Sequence, residues 1–413
     1  MIPCGKIKKT FRLLLYCSLF FCILNFQSCK PKPKDFKSLR DEFESKGKDL
    51  KVLLTKSESI EINCEGSFQL CDISGDKIVM FQKSPSNIAL HFENGVINAG
   101  GKAKFESGIE LYTHKKSFSV NGRNYRGRLK IIPYPESERI AAINEIPLEL
   151  YLAGVISSEV PARWPDETLK AQSVASRSYA LFQANQREDE NWHLRTTQAN
   201  QVYRGIEAEE KKIWRILLKT QGEVLLVQNS EDILPAYFSS TCGGATFKAS
   251  EVFGGEDFSI VGVECPYCKK SAKKDYLNWP EFEISLSELR KKLVSNYSSM
   301  KKLGKIKDIR PAETLKNAGF EKITKVRIIC ENGDETLRAE DLRLTADPTG
   351  IKFRSTVCRL EIRNGTLKAA DGKGFGHNVG MCQYGAKQMA VEGNNYRQIL
   401  KHYYPEAVLE RIY

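Results

Sequence analysis

The sequence carries no phosphate-binding signature. Near the C-terminus, "DGKGFGHNVG" packs Gly372, Gly374, Gly376 and Gly380 into nine residues. A dinucleotide fingerprint, however, needs G-x-G-x-x-G opening a helix within a βαβ unit. The sixth position from Gly372 is His377, and from Gly374 it is Val379. No P-loop lysine pattern occurs either, so both modes of phosphate cradling are excluded. The glycines still permit positive φ and close approach of backbone to backbone or ligand. Internal repeats and long low-complexity runs are also missing, which excludes solenoid arrays. The apolar run Leu13 to Phe26 is too short for a spanning helix. Acidic residues are absent from the first 29 positions.

What stands in that acid-free stretch is an export signal. Lys6, Lys8, Lys9 and Arg12 form a basic n-region, and Leu13 to Phe26 has the length of a secretory h-region. Ser28 and Cys29 follow, and a small residue before a cysteine looks like a bacterial lipobox. Residues 1–29 thus read as a signal segment with lipidation at Cys29, giving a membrane-anchored lipoprotein facing the periplasm or cell exterior. Removing them takes four positive charges and lowers the net charge from +12 to +8. A basic exported protein meets anionic envelope polymers rather than nucleic acid. Eight cysteines remain beside Cys29: Cys64, Cys71, Cys242, Cys265, Cys268, Cys330, Cys358 and Cys382. An even number in an oxidising compartment permits disulfides. The C-P-Y-C spacing at 265–268 is also half of a zinc knuckle, and both readings stand at this point.

The organisation follows from composition. Residues 30–50 are polar, charged and proline-bearing, a tether with a short helix. Residues 51–145 hold short β-rich runs such as "KVLLT", "IEINCEG" and "IALHF" between turn residues. There "EGSFQL" reads as a loop or hairpin between Cys64 and Cys71. Pro165, at a first helical position ahead of Asp166 and Glu167, starts a helix that runs to about Asn185 and is crowded with Ala and Ser. "EVLLVQ" and "LPAYFSSTCGGAT" read as β, about Leu277 to Gly304 as helical, Ile323 to Leu367 as β-rich, and "YRQILKHYY" as a helix ending at Pro405. The fold class is α+β. A β-rich N-terminal region leads into a mixed core over 146–275 and 351–413, interrupted by an inserted subdomain at 276–350.

Two sets of residues carry chemistry. Glu159 in "SSEVP" lies between an apolar segment and a proline-started helix. A carboxyl group desolvated at such a junction becomes a general acid near neutral pH; the plain alternative is an ion-pair partner. Cys265 and Cys268 supply two zinc ligands from one turn and Cys242 a third, with Cys382 the best fourth and His377 next. The competing reading is one or two disulfides.

"YLAGVISSEVPARWPDETLKAQSVASRSYAL", "AYFSSTCGGAT" with "EVFGG", and "GKGFGHNVGMCQYGAKQMAVEGNNYRQILKHYYP" occur in this order. The combination closely resembles the SpoIID/LytB family of stage II sporulation protein D and amidase enhancers, across roughly 51–413. The resemblance implies a peptidoglycan lytic transglycosylase that prefers peptide-denuded glycan strands, with Glu159 as its catalytic acid/base. It makes Gln172, Arg177, Ser240, His377, Gln383 and Tyr384 the candidate substrate-binding groups, with Arg177 alternatively a buried ion-pair partner. It also implies a different reading, a non-catalytic peptidoglycan-binding enhancer of a separate cell-wall amidase.

This sequence departs from the sporulation pattern. Phe238 stands where those members often have a histidine used in a metal site, and Cys382 where they often have serine. Members with "STCGG" and a following C-x-x-C carry cysteine in the last motif too. The resemblance therefore implies a structural zinc held by Cys242, Cys265, Cys268 and Cys382, and no organic cofactor. Asn378 replaces the usual glycine after His377, and Asn tolerates left-handed backbone. The glycine-rich loop is then expected to face the glycan.

Overall fold

The computed structural model describes residues 47–413 apart from 75–77, 83–86, 102, 114–116, 135–136 and 197–200. The signal segment, Cys29 and nearly all of the tether lie outside the described residues. Among the described residues no helix is long and apolar enough to cross a membrane. The architecture is α+β.

Strands between Asp49 and Pro147 alternate inward and outward positions, as in Ser59–Asn63 and Val96–Ala99. Period two gives each strand one apolar face, and two such faces close a core. Six strands form one sheet and seven the other, the seventh being the short parallel edge strand Leu194–Arg195. Leu50, Ile60, Phe68, Leu90, Phe105 and Ile131 share one core. "EGSFQL" is not a hairpin. Ser59–Asn63 belongs to the six-stranded sheet and Phe68–Asp72 to the seven-stranded one, so the chain crosses between layers there. Cys64, buried in that crossing, is a free thiol pushed up to about 12 by desolvation.

The strand Arg139–Pro147 runs directly into the helix Leu148–Glu159. A short turn then leads to the helix Asp166–Gln186, with Pro165 in the extended cap position just before it. This long helix is central. It touches the Glu159 helix, the helix Lys211–Lys219, the strand Glu223–Val227 and the C-terminal helices Gln383–Val391 and Tyr396–Tyr403. Its small residues make that possible: Ala171, Ser173, Ala175, Ser176, Ser178 and Ala180 are all buried. Ser173 Oγ donates to the Leu169 carbonyl and Ser178 Oγ to Val174, both at 2.8 Å. Hydroxyls satisfied by their own helix can be buried without leaving a donor orphaned.

The inserted region departs from the sequence reading in detail. The main helix there is Leu286–Asn296, capped by the Ser285 side chain and followed by the 3-10 turn Ser298–Lys301, while Phe282–Ser285 is drawn into a sheet with Thr366–Ala370. The β-rich stretch after Ile323 is interrupted by the helix Ala339–Ala346. Three further strands, Ile306–Asn317, Phe320–Cys330 and Gly333–Arg338, form a separate sheet. The insertion's core includes Phe353, Leu367 and Ala369, so this unit extends beyond 350 to about Ala370. Of "LPAYFSSTCGGAT", only Phe238–Ser239 is strand, paired in parallel with Met381–Cys382. That pairing brings the second and third motifs side by side.

Candidate active site

Glu159 is the last residue of its helix. A helix C-terminus carries the negative end of the macrodipole and disfavours an anion. The carboxyl is crowded by protein, while the residue as a whole is half-buried. Desolvation dominates and pushes it up to about 7, against the opposing pull of the Val202 N–H, the Gln383 amide and the Arg204 charge. Val202 N donates to Glu159 Oε1 at 2.7 Å. Among the described residues, no second carboxylate is among the groups acting on it.

Gly154 explains how that N–H arrives. A Cβ there would meet the Tyr203 ring at 2.7 Å and the Gly205 carbonyl at 3.0 Å. Glycine lets the 201–205 segment lie against the helix and present Val202 to the carboxyl. Tyr151 OH, one turn earlier, donates to Gln201 Oε1 at 3.0 Å, and Gln201 Nε2 donates to the Ser176 carbonyl at 3.1 Å. The loop is therefore tied to both helices.

Gln383 opens the helix Gln383–Val391. It reaches Glu159, and its Nε2 donates to Gln172 Oε1 at 3.3 Å. Gln172 in turn donates to Ser176 Oγ at 3.0 Å. Tyr384 N donates to the Ser240 carbonyl at 3.1 Å, and the Tyr384 ring meets Trp164 edge-on at 5.0 Å. Gln383 thus touches Glu159 and Gln172 stands behind it, while Tyr384 and Ser240 join the same region through Tyr384's backbone. Gln172, although there, is fully buried behind Gln383.

Two candidates do not belong to the cleft. Arg177 is fully buried, with Nε and Nη2 on the Glu149 carboxylate at 2.8 and 3.0 Å and Nη1 on the Glu223 carbonyl at 3.0 Å. Tyr413 OH completes Glu149 at 2.7 Å. All three guanidinium nitrogens are engaged by protein groups and the side chain is fully buried, so it ties its helix to Glu149 and Glu223. His377 Nδ1 accepts from Val379 N at 3.1 Å, its other nitrogen is engaged by the Phe238 backbone, and its ring packs on Phe253 at 5.2 Å. Burial pulls it down to about 4, which keeps it a neutral loop-shaping imidazole.

The glycine-rich loop also faces inward. A Cβ on Gly374 would meet the Thr241 carbonyl at 2.7 Å and Cys242 C at 2.8 Å, and φ there is +76°. The glycines of 372–380 therefore serve loop-to-loop contact, not exposure to a ligand. Asn378 adopts φ 58°. Its Nδ2 donates to the Cys242 carbonyl at 3.2 Å, and its Oδ1 accepts from Lys322 at 3.3 Å.

Cys242, Cys265, Cys268 and Cys382 are all buried, with their sulfurs within 4.8 Å of one another. Cys242 Sγ and Cys268 Sγ are 3.8 Å apart. A disulfide needs about 2.05 Å, whereas metal–sulfur bonds of about 2.3 Å in a tetrahedron put sulfurs roughly 3.8 Å apart. The Cys242 and Gly385 N–H groups point at Cys382 Sγ at 3.2 and 3.4 Å, and Tyr403 OH sits 3.2 Å from Cys265 Sγ. Such donors stabilise thiolates in a metal's outer shell. The four residues can hold one tetrahedral ion, with no position left open for substrate.

Sequence reading did not single out the Val202 N–H, Arg204 or Trp164. A backbone donor leaves no sequence signal; "ARWP" directly after Glu159 was the available pointer to Trp164.

Glu159 is thus a half-buried carboxyl touched by Gln383, whose helix starts at the thiol cluster. The family described as Stage II sporulation protein matches residues 136–226, which hold Glu159 and both helices around it. The chain is 33% identical over 73% of its length to an uncharacterized protein of Brachyspira hyodysenteriae, 76% of which it covers. It is 31% identical over 64% of its length to the stage II sporulation protein D of Bacillus subtilis, 74% of which it covers. An amidase enhancer of Bacillus subtilis is 27% identical over 73% of this chain, which spans 46% of that protein. The chain belongs to the SpoIID/LytB family.

Proposed function

We propose that this protein is an exported peptidoglycan-remodelling enzyme, a lytic transglycosylase acting on glycan strands, with peptide-denuded strands preferred. The observation that carries this is Glu159: an acid pushed up to about 7, aligned by an N–H and an amide, with no second carboxylate among the described groups that act on it. Half protonated at neutral pH, such a group serves as both acid and base. A glycosidase that uses water or an enzyme nucleophile generally needs two carboxylates. Here Glu159 gives its proton to the glycosidic oxygen as the C1–O bond breaks. The sugar's C6 hydroxyl then closes on C1, and its proton returns to Glu159. The products are a 1,6-anhydro-muramoyl end and a free 4-hydroxyl, with no water consumed.

Incubating the protein and its Glu159→Gln variant with peptide-free glycan strands, followed by mass spectrometry, tests this. Anhydro ends from the wild type alone are the expected result. Products heavier by one water would mean a hydrolase and a second carboxylate still to be found. The name of the Bacillus subtilis relative favours a second reading, in which the chain binds peptidoglycan and enhances a separate cell-wall amidase. Under that reading Glu159→Gln leaves amidase stimulation intact.

The same proposal includes a structural zinc on Cys242, Cys265, Cys268 and Cys382, supported by the sulfur spacing and the N–H donors around it. It would fix the 240–244 loop to the start of the Gln383 helix and so set Gln383 against Glu159. Metal analysis of the reduced protein is expected to give one zinc per chain; a ratio near zero removes this part. Anchoring through a lipid on Cys29 is the corresponding proposal for location, and loss of palmitate labelling in Cys29→Ala tests it.

A further inference from the structure

The Val202 N–H reaches Glu159 from a segment that the β-rich region holds. The strand Arg123–Arg126 is an edge of the six-stranded sheet and pairs there with Ser117–Val120 alone. An edge strand leaves backbone groups for another element to take. Here residues 201–209 take them. Glu207 Oε1 accepts from the Asn124 backbone N–H at 3.1 Å and from the Asn124 side-chain amide at 2.8 Å. Glu209 receives the Arg126 guanidinium through two bonds, at 2.7 and 2.9 Å. Between these two acids and Tyr203 lies Gly205, at φ +71°, where a Cβ would collide with the Asn124 carbonyl. The segment is docked on the 117–126 hairpin by backbone contact, an amide and a bidentate ion pair.

Tyr203 carries that docking to the acid. Its buried ring lies between Tyr125 of the hairpin, centroids 5.6 Å apart, and Tyr151 of the Glu159 helix, 5.0 Å apart. Its hydroxyl donates to Asn144 Oδ1 at 3.2 Å. Asn144 is fully buried in the strand Arg139–Pro147, which runs straight into the Glu159 helix. The Asn144 amide is itself spent on the Arg126 and Arg128 carbonyls at 2.8 and 3.2 Å. Strand, helix, acid, Val202, Tyr203 and Asn144 thus form a closed ring of contacts. Such a ring fixes the direction from which the Val202 N–H meets the carboxyl.

We propose that Tyr203 and Glu207 are positioning residues for Glu159, and that through them the β-rich region of 49–147 is a working part of the active site rather than a detachable binding module. They act through two groups of the one segment, the Val202 N–H and the Arg204 charge, which both pull the carboxyl down. From its other sides Glu159 faces the Gln383 amide and, on its own helix, Tyr151. Slackening the segment therefore raises the carboxyl further and loosens its aim. The kinetic consequence rests on the transglycosylase reading; the effect on the carboxyl does not.

The test uses the full chain in detergent, with glutamate labelled with carbon-13 at its carboxyl carbon. The Glu159 resonance is the one missing from Glu159→Gln, and its midpoint is read by pH titration. Tyr203→Phe keeps the ring and removes the hydroxyl, and Glu207→Ala removes an exposed acceptor. Each is expected to move the midpoint upward by roughly half a pH unit or more, a share of one hydrogen bond to a charged group. On glycan strands kcat is expected to fall roughly tenfold with KM unchanged, and the alkaline limb of the pH profile to move up with the carboxyl. Glu207→Gln keeps the accepting oxygen and is expected to rescue both. A midpoint unmoved in both variants, or moved by Glu207→Gln as far as by Glu207→Ala, overturns the proposal and leaves the acid reading in place. A midpoint that moves as expected in a chain that releases no anhydro ends upholds the positioning and overturns the transglycosylase. Melting curves of Glu207→Ala, expected to match the parent because the side chain is exposed, separate lost alignment from lost folding.

Discussion

Glu159 holds its proton at a cost to the fold. Its folded value of about 7 lies above the ordinary value near 4.5. Between those two pH values the folded state binds the proton that the unfolded chain releases. Stability contributed by the protonated group is therefore full below about 4.5 and is lost as pH rises through about 7. Glu159→Gln removes this penalty. The variant is expected to match wild type at pH 4 and to be more stable at pH 8 by ~1–3 kcal/mol, discounted for the group's partial exposure. Thermal melting at the two pH values checks it; equal melting at pH 8 would mean the carboxyl is not desolvated. Arg177 behaves in the opposite way, because its pair with Glu149 is wholly enclosed. Arg177→Ala strands a buried carboxylate, and an unfolding free energy lower by about 3–5 kcal/mol is expected from denaturant titration. A large loss of activity with stability unchanged would instead return Arg177 to the substrate cleft.

The loops around the site are held by side chains of the insertion. Lys322, fully buried, donates to Glu340 at 2.8 Å, Thr356 at 2.7 Å and Asn378 at 3.3 Å, while Arg343 holds the other oxygen of Glu340 at 2.7 Å. Asn378 hands the connection on to the Cys242 carbonyl. If Asn378 matters only for its left-handed backbone, Asn378→Gly is neutral. If its side chain links the elements, Asn378→Gly costs about 1–3 kcal/mol, and Asn378→Ala costs roughly 1 kcal/mol more because alanine resists φ 58°. Comparing the two variants by denaturation separates backbone from link. The same network shows where sequence was legible. Glu159 stood out through the proline-flanked junction, and the four cysteines through C-x-x-C spacing and motif order. Secondary structure was readable where its period was local, as in Tyr396–Tyr403, which carries its own capping box. It was misread at Phe282–Ser285, where a partner more than eighty residues away decides the conformation. His377 is engaged by backbone groups, and of the two readings of Arg177 its contacts favour the buried ion pair. Polar groups look alike in sequence whether solvent or a buried carboxylate awaits them, and only tertiary packing tells which.

Besides the insertion's own core, the described residues close around two larger cores, by different physics. The two sheets and the Glu159 helix share one apolar core that includes none of the four clustered cysteines. A second core gathers Cys242, Cys265, Cys268 and Cys382 with Phe247, Val379, Met381 and Tyr403. The insertion leaves the chain just after Cys268 and returns before Cys382, so the cluster sits at its root. Four thiols packed together are poor core on their own, since each buried thiolate needs a counter-charge. If they hold zinc, the metal ties the insertion's two ends and the last motif into one unit, and its binding energy is folding energy for that unit alone. Chelation under reducing conditions is therefore expected to raise amide hydrogen exchange over 240–275 and 372–404 while the strands of 49–147 keep their protection. The melting curve should split from one transition into two. A uniform rise across the chain would mean that the two cores unfold as one. No change at either would mean that the thiols alone suffice to hold the last motif against Glu159.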